Sequence, residues 1–175
     1  FNTKMNNKDL KVAVLGAGAM GCLFGGLLAE KGLNVTLIDV WKEHVEEINK
    51  NGLKMDGHGG DRFIKIPATS DPSTIGKVDA VIVMCKATAL EPALKSIKNI
   101  IRDKTVFMSF QNGIGHEAII KSIVGDEKVI GGTTTQASNI LGPGHIMNHA
   151  ALPSWIGEYD VGITDRITEI ADTFT

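Results

Sequence analysis

Three glycines and one aspartate form the clearest chemical pattern in the chain. Gly16, Gly18 and Gly21 make G-x-G-x-x-G, which directly follows the apolar run at residues 12–15 and opens a helical pattern. In such a turn the first glycine permits the tight bend, the second lets the backbone approach a pyrophosphate, and the third lets the helix pack closely on the sheet. The helix N-terminus adds free N–H groups and a positive dipole end. The pattern predicts a dinucleotide site.

Asp39 ends the next predicted strand, where a dinucleotide site needs an acceptor for the adenosine ribose. A carboxylate at this position repels a 2′-phosphate, so the residue favours NAD(H) over NADP(H). Lys42 and His44 are close enough in sequence to weaken that preference. The alternative is that Asp39 only caps the helix that starts near Trp41.

Lys86 is a charged residue at the end of the buried strand predicted for residues 78–85. Ligands of doubly wound sheets bind beyond the carboxyl ends of the strands, so Lys86 is expected to face the nicotinamide or an anionic substrate. The alternative is a lysine that extends into solvent. Asn112, before Gly113, is expected to hold the nicotinamide ribose or carboxamide, unless it serves only the turn.

These residues require a fold that brings strand ends together. Strands and helices alternate with short connections, which predicts an α/β protein of the Rossmann type, with a doubly wound, mostly parallel sheet. Residues 53–70 predict a hairpin around a glycine-rich turn. Residues 128–138 predict a single strand. Residues 142–150 and 152–159 predict an antiparallel pair near the C-terminal end, and a helix is expected from Asp165.

Composition narrows the class of protein. The chain has 175 residues, 43% of them hydrophobic, and a net charge of −2, which gives no reason to expect binding to nucleic acid or to an anionic membrane. No apolar run is long enough to predict a membrane span. Cys22 and Cys85 are expected to be buried thiols in a cytoplasmic protein. His145 and His149 fall in a predicted strand, too far apart for one metal, and no metal site is expected.

Four stretches together resemble the ketopantoate reductase (2-dehydropantoate 2-reductase) family: "VAVLGAGAMG", "VMCKATAL", "SFQNGIG" and "GGTTTQAS". The resemblance implies the cofactor domain of an enzyme that reduces 2-dehydropantoate to (R)-pantoate on the route to pantothenate and coenzyme A, usually with NADPH. It implies that Lys86 and Asn112 contact the cofactor and the substrate end of the cleft, and that Ser138 contacts the cofactor through its backbone. It also implies that the pyrophosphate lies on the glycine loop, which comprises Gly16, Ala17, Gly18, Ala19, Met20 and Gly21.

The chain departs from the family in two ways. Asp39 stands where family members usually carry a basic residue for the 2′-phosphate, which conflicts with NADPH. The family also has a C-terminal helical domain that supplies the general-acid lysine, and that lysine is expected beyond Thr175. The domain prediction is therefore a disordered or vector-derived N-terminus at 1–10, a Rossmann domain at 11–163, and a helix at 164–175 leading toward an absent domain.

The function predicted from the sequence is NAD(P)H-dependent reduction of 2-dehydropantoate, with this chain as the cofactor-binding half. Its partner is a small 2-keto acid, and a homodimer is compatible with the prediction. Two alternatives stay open. One is a dehydrogenase of another 2-keto or 3-hydroxy acid, and the other is a non-catalytic domain that senses NAD(H).

Overall fold

A seven-stranded sheet forms the centre of the computed structural model, which describes residues 9–111, 115–159 and 162–175. In chain order the strands are β1 (Lys11–Leu15), β2 (Asn34–Ile38), β3 (Leu53–Gly57), β4 (Arg62–Ile64), β5 (Ala68–Thr69), β6 (Ala80–Val83), β7 (Val106–Ser109), β8 (Val129–Thr134), β9 (Ser138–Gly142), β10 (His145–Asn148) and β11 (Ser154–Gly157). The α-helices are α1 (Ala19–Glu30), α2 (Lys42–Asn51), α3 (Leu90–Ser96), α4 (His116–Val124) and α5 (Asp165–Phe174).

The order of the central sheet is β11-β8-β7-β6-β1-β2-β5. All neighbours are parallel except β11, which is antiparallel to β8. The chain starts in the middle at β1, winds outward through β2 and β5, and returns to build the other half from β6. This arrangement confirms the doubly wound prediction, and its strand order reverses between β1 and β6, where such folds bind ligands.

The sheet is buried on both faces because its strands are continuous apolar runs. Successive residues of β1 show the period of two: Val12 and Val14 belong to one core, and Ala13 and Leu15 belong to the other. The first core contains side chains of α1, α2 and α5, and the second contains side chains of α3 and α4. Helices therefore cover both faces, as a parallel sheet requires.

A second, four-stranded sheet has the order β4-β3-β10-β9 and shares the first core. The predicted hairpin is present as β3 and β4, which are antiparallel. Gly26 of α1 faces this sheet, since a Cβ there would lie 2.9 Å from Met55 Cε and 3.1 Å from Leu53 Cδ2. Helix α1 is thus packed between two sheets, which holds the start of the helix, and the turn before it, in place.

Two predictions about the strands were wrong, and one strand was missed. Residues 142–150 and 152–159 do not pair with each other, because β10 joins β3 and β9 whereas β11 joins β8 in the other sheet. The single strand at 128–138 is instead β8 and the start of β9. Strand β5, which extends the central sheet beside β2, was not predicted. Leu10, placed in the disordered N-terminus by the domain prediction, is buried in the first core.

Across the three described ranges, each helix is too short or too polar to traverse the hydrocarbon layer of a membrane.

Candidate functional site

The glycine turn connects β1 to α1 at the point where the strand order reverses. Gly16 has φ +98°, and a Cβ there would lie 2.6 Å from the backbone nitrogen of Cys85. A Cβ on Gly21 would lie 1.9 Å from the carbonyl oxygen of Gly16. These two glycines are therefore required by the protein's own packing. At Gly18, by contrast, a Cβ would meet no atom of the described residues within 4 Å.

The open space at Gly18 marks the side from which a ligand can approach. Gly18 is the N-cap of α1 and has an ordinary φ of −67°. Among the described residues, no side chain is seen to accept a hydrogen bond from the first N–H groups of α1. The open backbone at Gly18 and the N-terminus of α1 beside it fit the phosphate-binding site that the sequence predicted.

Asp39 lies just beyond β2, and its carboxylate is hydrogen-bonded both to the glycine turn and to the start of α2. Its Oδ2 accepts a hydrogen bond from Ala17 N at 2.7 Å, and its Oδ1 accepts one from Trp41 N at 3.0 Å. The bond to Trp41 reaches the N-cap residue of α2 and none of the helical N–H groups that a capping side chain bonds, and the bond to Ala17 ties the carboxylate to the glycine turn. An ionised carboxylate can accept about four hydrogen bonds, so acceptor capacity remains for a ribose.

His44 is a buried connector beneath the glycine turn. Its Nδ1 accepts a hydrogen bond from Gly144 N at 2.8 Å, its Nε2 lies 3.3 Å from Cys22 Sγ, and its ring stacks on Trp41 at 4.8 Å. Burial lowers the pKa of His44, opposed by a backbone hydrogen bond with Ala17 and by the charge of Asp39. Burial raises the pKa of the Cys22 thiol to about 12, which agrees with the predicted inert thiol.

The position of His44 corrects one part of the cofactor argument. His44 is completely buried, so it does not present a charge to a 2′-phosphate and does not weaken the preference attributed to Asp39. Lys42 is exposed at the first residue of α2.

A cavity of about 290 Å³ opens at the carboxyl ends of β6 and β7. One part of its lining is apolar, and the other carries Lys86, Gln111 and His116. The residues that line it are Met20, Met84, Cys85, Lys86, Ala87, Phe110, Gln111 and His116. Because Gly16 packs directly on Cys85, this cavity is adjacent to the glycine turn. Lys86 is exposed at its edge, so the charge at the strand end is not buried.

Gln111 forms part of the cavity wall through a bond to the neighbouring strand end. Its Nε2 donates to the carbonyl oxygen of Cys85, while its Oε1 is buried and has no hydrogen-bond partner within the described ranges. Burial also raises the pKa of the Cys85 thiol, which keeps it protonated at neutral pH. The wall therefore offers an uncharged thiol and an amide oxygen with spare acceptor capacity.

The structure brings together most of the predicted site residues. The glycine turn, Asp39 and Lys86 share the carboxyl edge of the sheet, and Met20 joins the turn to the cavity. Asn112 lies outside the described residues. Ser138 begins β9, paired with Asn148 in the second sheet, and none of the hydrogen bonds seen in the described ranges links it to the glycine turn.

Several cavity residues were missed by the sequence argument, among them Phe110, Gln111 and His116. A signal was available in the sequence, because all three lie close to the Asn112-Gly113 pair that follows a buried strand.

One of the two histidines at β10 contacts an aspartate of the neighbouring strand. His145 lies in β10, and its Nε2 is 2.6 Å from Asp56 Oδ2 of β3. His149 follows the end of β10. Nowhere in the described ranges do three His, Cys, Asp or Glu side chains converge as metal ligands would.

The fold and the glycine turn define the class: this is a Rossmann-type domain of the dinucleotide-binding kind. The model of one family, described as ketopantoate reductase PanE/ApbA, matches residues 12–161. The chain belongs to that family.

Relatives of known name agree with the assignment. The chain is 39% identical over 165 residues to the 2-dehydropantoate 2-reductase of Pyrococcus horikoshii, covering 94% of this chain and 53% of the relative. It is 36% identical over 137 residues to that of Lactococcus lactis, covering 77% and 44%. The chain thus spans about half the length of these relatives.

Solved structures show the same fold. A ternary structure of D-mandelate dehydrogenase with NADH and anilino(oxo)acetate superposes with a TM-score of 0.88 at 33% identity, covering 94% of this chain and 53% of the other. The 2-dehydropantoate 2-reductase from Geobacter metallireducens gives 0.86 at 32% identity, covering 94% and 55%.

Proposed function

We propose that this chain is the cofactor-binding half of an NAD(P)H-dependent 2-dehydropantoate 2-reductase, which converts 2-dehydropantoate to (R)-pantoate. The observation that carries the proposal is the glycine turn, open at Gly18 and adjacent to a cavity lined by Lys86. Family membership supports the reaction, and the adjacency supports a nicotinamide end at the cavity.

The residues present fit a dinucleotide. The first N–H groups of α1 and the bare backbone at Gly18 receive the pyrophosphate. Asp39, held by Ala17 N and Trp41 N, accepts a hydrogen bond from the adenosine ribose. Asn112 and Ser138 are proposed as further cofactor contacts on the strength of the family pattern alone.

When bound, the reduced nicotinamide supplies a hydride to the 2-keto carbon of the substrate. The side chains of this chain orient the keto acid and stabilise charge. Lys86 attracts the carboxylate and stabilises the keto oxygen as it gains negative charge. The proton that completes the alcohol comes from the lysine general acid that the family carries in its C-terminal domain.

The structure of the β2 end supports NAD(H) as the preferred cofactor. A 2′-phosphate beside the fixed carboxylate of Asp39 would place like charges together, and His44 is buried and offers no compensation. Charges at about 4 Å repel by about 4 kcal/mol at an effective dielectric constant of 20, less where solvent screens them. We therefore expect NADH to bind at least about tenfold more tightly than NADPH.

Titration of the chain with NADH and with NADPH tests both the binding of a dinucleotide and the preference for NADH. Binding is measured by energy transfer from tryptophan to the nicotinamide. Asp39→Asn should reduce the preference for NADH over NADPH, because it removes the charge at nearly the same size. It also removes one acceptor, since only one of the two backbone N–H groups, of Ala17 or of Trp41, can bond the amide oxygen. Asp103→Asn, at an exposed turn, is the matched control. If the chain binds neither cofactor, the proposal is contradicted. If the Kd values for NADH and NADPH are equal both in the wild type and in Asp39→Asn, the role of Asp39 is contradicted.

A dehydrogenase of another 2-keto acid is the second candidate. It is favoured by Asp39 together with the likeness to D-mandelate dehydrogenase, whose solved structure contains NADH. Turnover of a panel of 2-keto acids by the complete gene product, measured as nicotinamide oxidation, distinguishes the two. Preference for 2-dehydropantoate supports the first candidate and preference for an aryl keto acid the second. Cofactor binding without turnover of any acid would instead indicate an NAD(H)-sensing domain.

A further inference from the structure

The hydrogen bonds of the buried His44 fix which of its ring nitrogens carries the proton. Its Nδ1 accepts a hydrogen bond from Gly144 N at 2.8 Å, and a backbone N–H can only donate. Nδ1 therefore carries no proton, and the neutral ring carries its proton on Nε2. Burial lowers the pKa of His44, which favours this neutral ring.

The proton on Nε2 gives the contacts of His44 one direction. Nε2 lies 3.3 Å from Cys22 Sγ and donates to it. Burial raises the pKa of the Cys22 thiol to about 12, so the thiol keeps its proton at neutral pH and donates to the carbonyl oxygen of Ala17 at 3.1 Å. The ring of His44 also forms a hydrogen bond with the backbone of Ala17. A chain of hydrogen bonds thus runs from Gly144 through His44 and Cys22 to the glycine turn.

This chain of hydrogen bonds determines the direction of one peptide group in the glycine turn. The C=O and the N–H of a trans peptide point to opposite sides, and the described residues contain no cis peptide. Because the Ala17 carbonyl points inward to Cys22, the N–H of Gly18 in the same peptide points away from Cys22. A Cβ on Gly18 would meet no described atom within 4 Å, so open space lies beside this peptide.

We propose that His44 is a positioning residue for the cofactor: through Cys22 it holds the Ala17 carbonyl inward and thereby directs the N–H of Gly18 toward the pyrophosphate. The proposal rests on the proposed function, because that function places the pyrophosphate beside Gly18. His44 is completely buried, so it acts only through its neighbours.

The far end of the chain of hydrogen bonds is held by the second sheet. Gly144 lies in the turn between β9 and β10, and its carbonyl oxygen accepts a hydrogen bond from Lys54 N of β3 at 2.8 Å. The turn also packs on α2, since a Cβ on Gly144 would lie 2.7 Å from Glu47 Cγ. His44 is therefore tied to a fixed point, and the second sheet contributes to the dinucleotide site through it.

Two substitutions separate the two ends of the histidine ring. Oδ1 of asparagine and Nδ1 of histidine are both two bonds from Cβ, whereas Nε2 of glutamine and Nε2 of histidine are both three bonds from Cβ. His44→Asn can therefore still accept from Gly144 N, but it does not reach Cys22. His44→Gln can reach Cys22, but it leaves Gly144 N without its acceptor.

The first test measures the Kd for NADH and the thermal midpoint of the complete gene product. We expect the Kd to rise about tenfold in His44→Ala and in His44→Asn, because the N–H that bonds a charged phosphate is no longer held in one direction. The rise should be less than about threefold in His44→Gln, and the midpoint should fall in all three variants. Ile48→Val, on the same buried face of α2, is the matched control: it should lower the midpoint and keep the wild-type Kd.

Nitrogen-15 NMR of the histidine-labelled protein gives a readout that a change in stability does not move. At neutral pH the signals of His44, identified by their loss in His44→Gln, should show an unprotonated Nδ1 and a protonated Nε2. The amide signal of Gly18 should shift when NADH is added to the wild type, and it should shift less in His44→Asn.

The outcomes distinguish this proposal from the proposed function. If the wild type binds neither NADH nor NADPH, the proposed function fails and the proposal fails with it. If the wild type binds NADH but His44→Asn binds it as tightly as His44→Gln does, His44 has only a structural role and the proposal alone is overturned. A proton on Nδ1 of His44 at neutral pH would also overturn it.

Discussion

Gly18→Ala tests whether this glycine is required for cofactor binding and not for the stability of the fold. The backbone at Gly18 has φ −67°, which alanine adopts without strain, and a Cβ would meet no described atom within 4 Å. Replacing glycine reduces the entropy of the unfolded chain and stabilises by about 0.4–1 kcal/mol, while alanine at an N-cap costs a similar amount. The two effects offset, and with about 2–4 °C per kcal/mol for a chain of this size the thermal midpoint should move by less than about 2 °C.

Cofactor binding should respond strongly to the same change. The added methyl group projects into the open space that the proposed function assigns to the pyrophosphate, beside the first N–H groups of α1. Losing one or two hydrogen bonds to a charged group costs about 3 kcal/mol, which is roughly a hundredfold in Kd. Titration with NADH by tryptophan-to-nicotinamide energy transfer measures this loss, and circular dichroism on heating measures the midpoint.

Gly21→Ala provides the contrasting control. Its Cβ would lie 1.9 Å from the carbonyl oxygen of Gly16, so α1 has to move away from the turn. Overpacking of this kind costs about 1–3 kcal/mol, and the midpoint should fall by about 2–12 °C. The reasoning is refuted if Gly18→Ala keeps the wild-type affinity for both cofactors, or if it lowers the midpoint as much as Gly21→Ala does.

Two further predictions concern charges at the two sheets. Lys86→Ala in the complete gene product should lower kcat/KM for the keto acid by about 10- to 100-fold and change the Kd for NADH less than threefold. Lys98→Ala, at an exposed lysine, is the control. Unchanged turnover would exclude Lys86 from the reaction. Asp56→Asn should lower the free energy of unfolding at neutral pH, because the hydrogen bond from His145 lowers the pKa of that carboxyl. A carboxylate whose pKa is lower in the folded protein stabilises the fold above its unfolded pKa of about 4, and this contribution is lost as the pH falls through the folded pKa. The free energies of unfolding of the wild type and of Asp56→Asn, measured with denaturant, should therefore converge in acid. A constant difference down to the lowest pH would contradict the assignment.

Local rules were enough to predict most of the helices and strands and the glycine turn. The apolar run of β1 alternates between two cores because side chains of a strand point to opposite faces, and this period is visible in the sequence. Helix α1 ends just before Gly32, which has φ +89°, with Gly32 N donating to Ala29 O and Leu33 N to Leu28 O. Both features depend on residues a few positions apart, so the sequence carries them directly.

Pairing between distant strands was beyond those rules. His145 of β10 lies opposite Lys54 of β3, and no local signal in residues 142–150 distinguishes this partner from the neighbouring segment that was predicted. The outcome depends on α1, whose Gly26 admits the second sheet onto its surface. The choice between two partner strands is made by packing, which a one-dimensional pattern does not contain.

The candidate site, like the fold, was predictable from the sequence only in part. The residue types that could do chemistry, namely the glycine turn, Asp39 and Lys86, were evident from the sequence because each stands at the end of an apolar run. Only the tertiary structure showed that His44 is buried, that Asp39 bonds the turn, and that His116 lines the same cavity as Lys86. Burial and convergence depend on distances between segments far apart in the chain, and folding alone creates those distances.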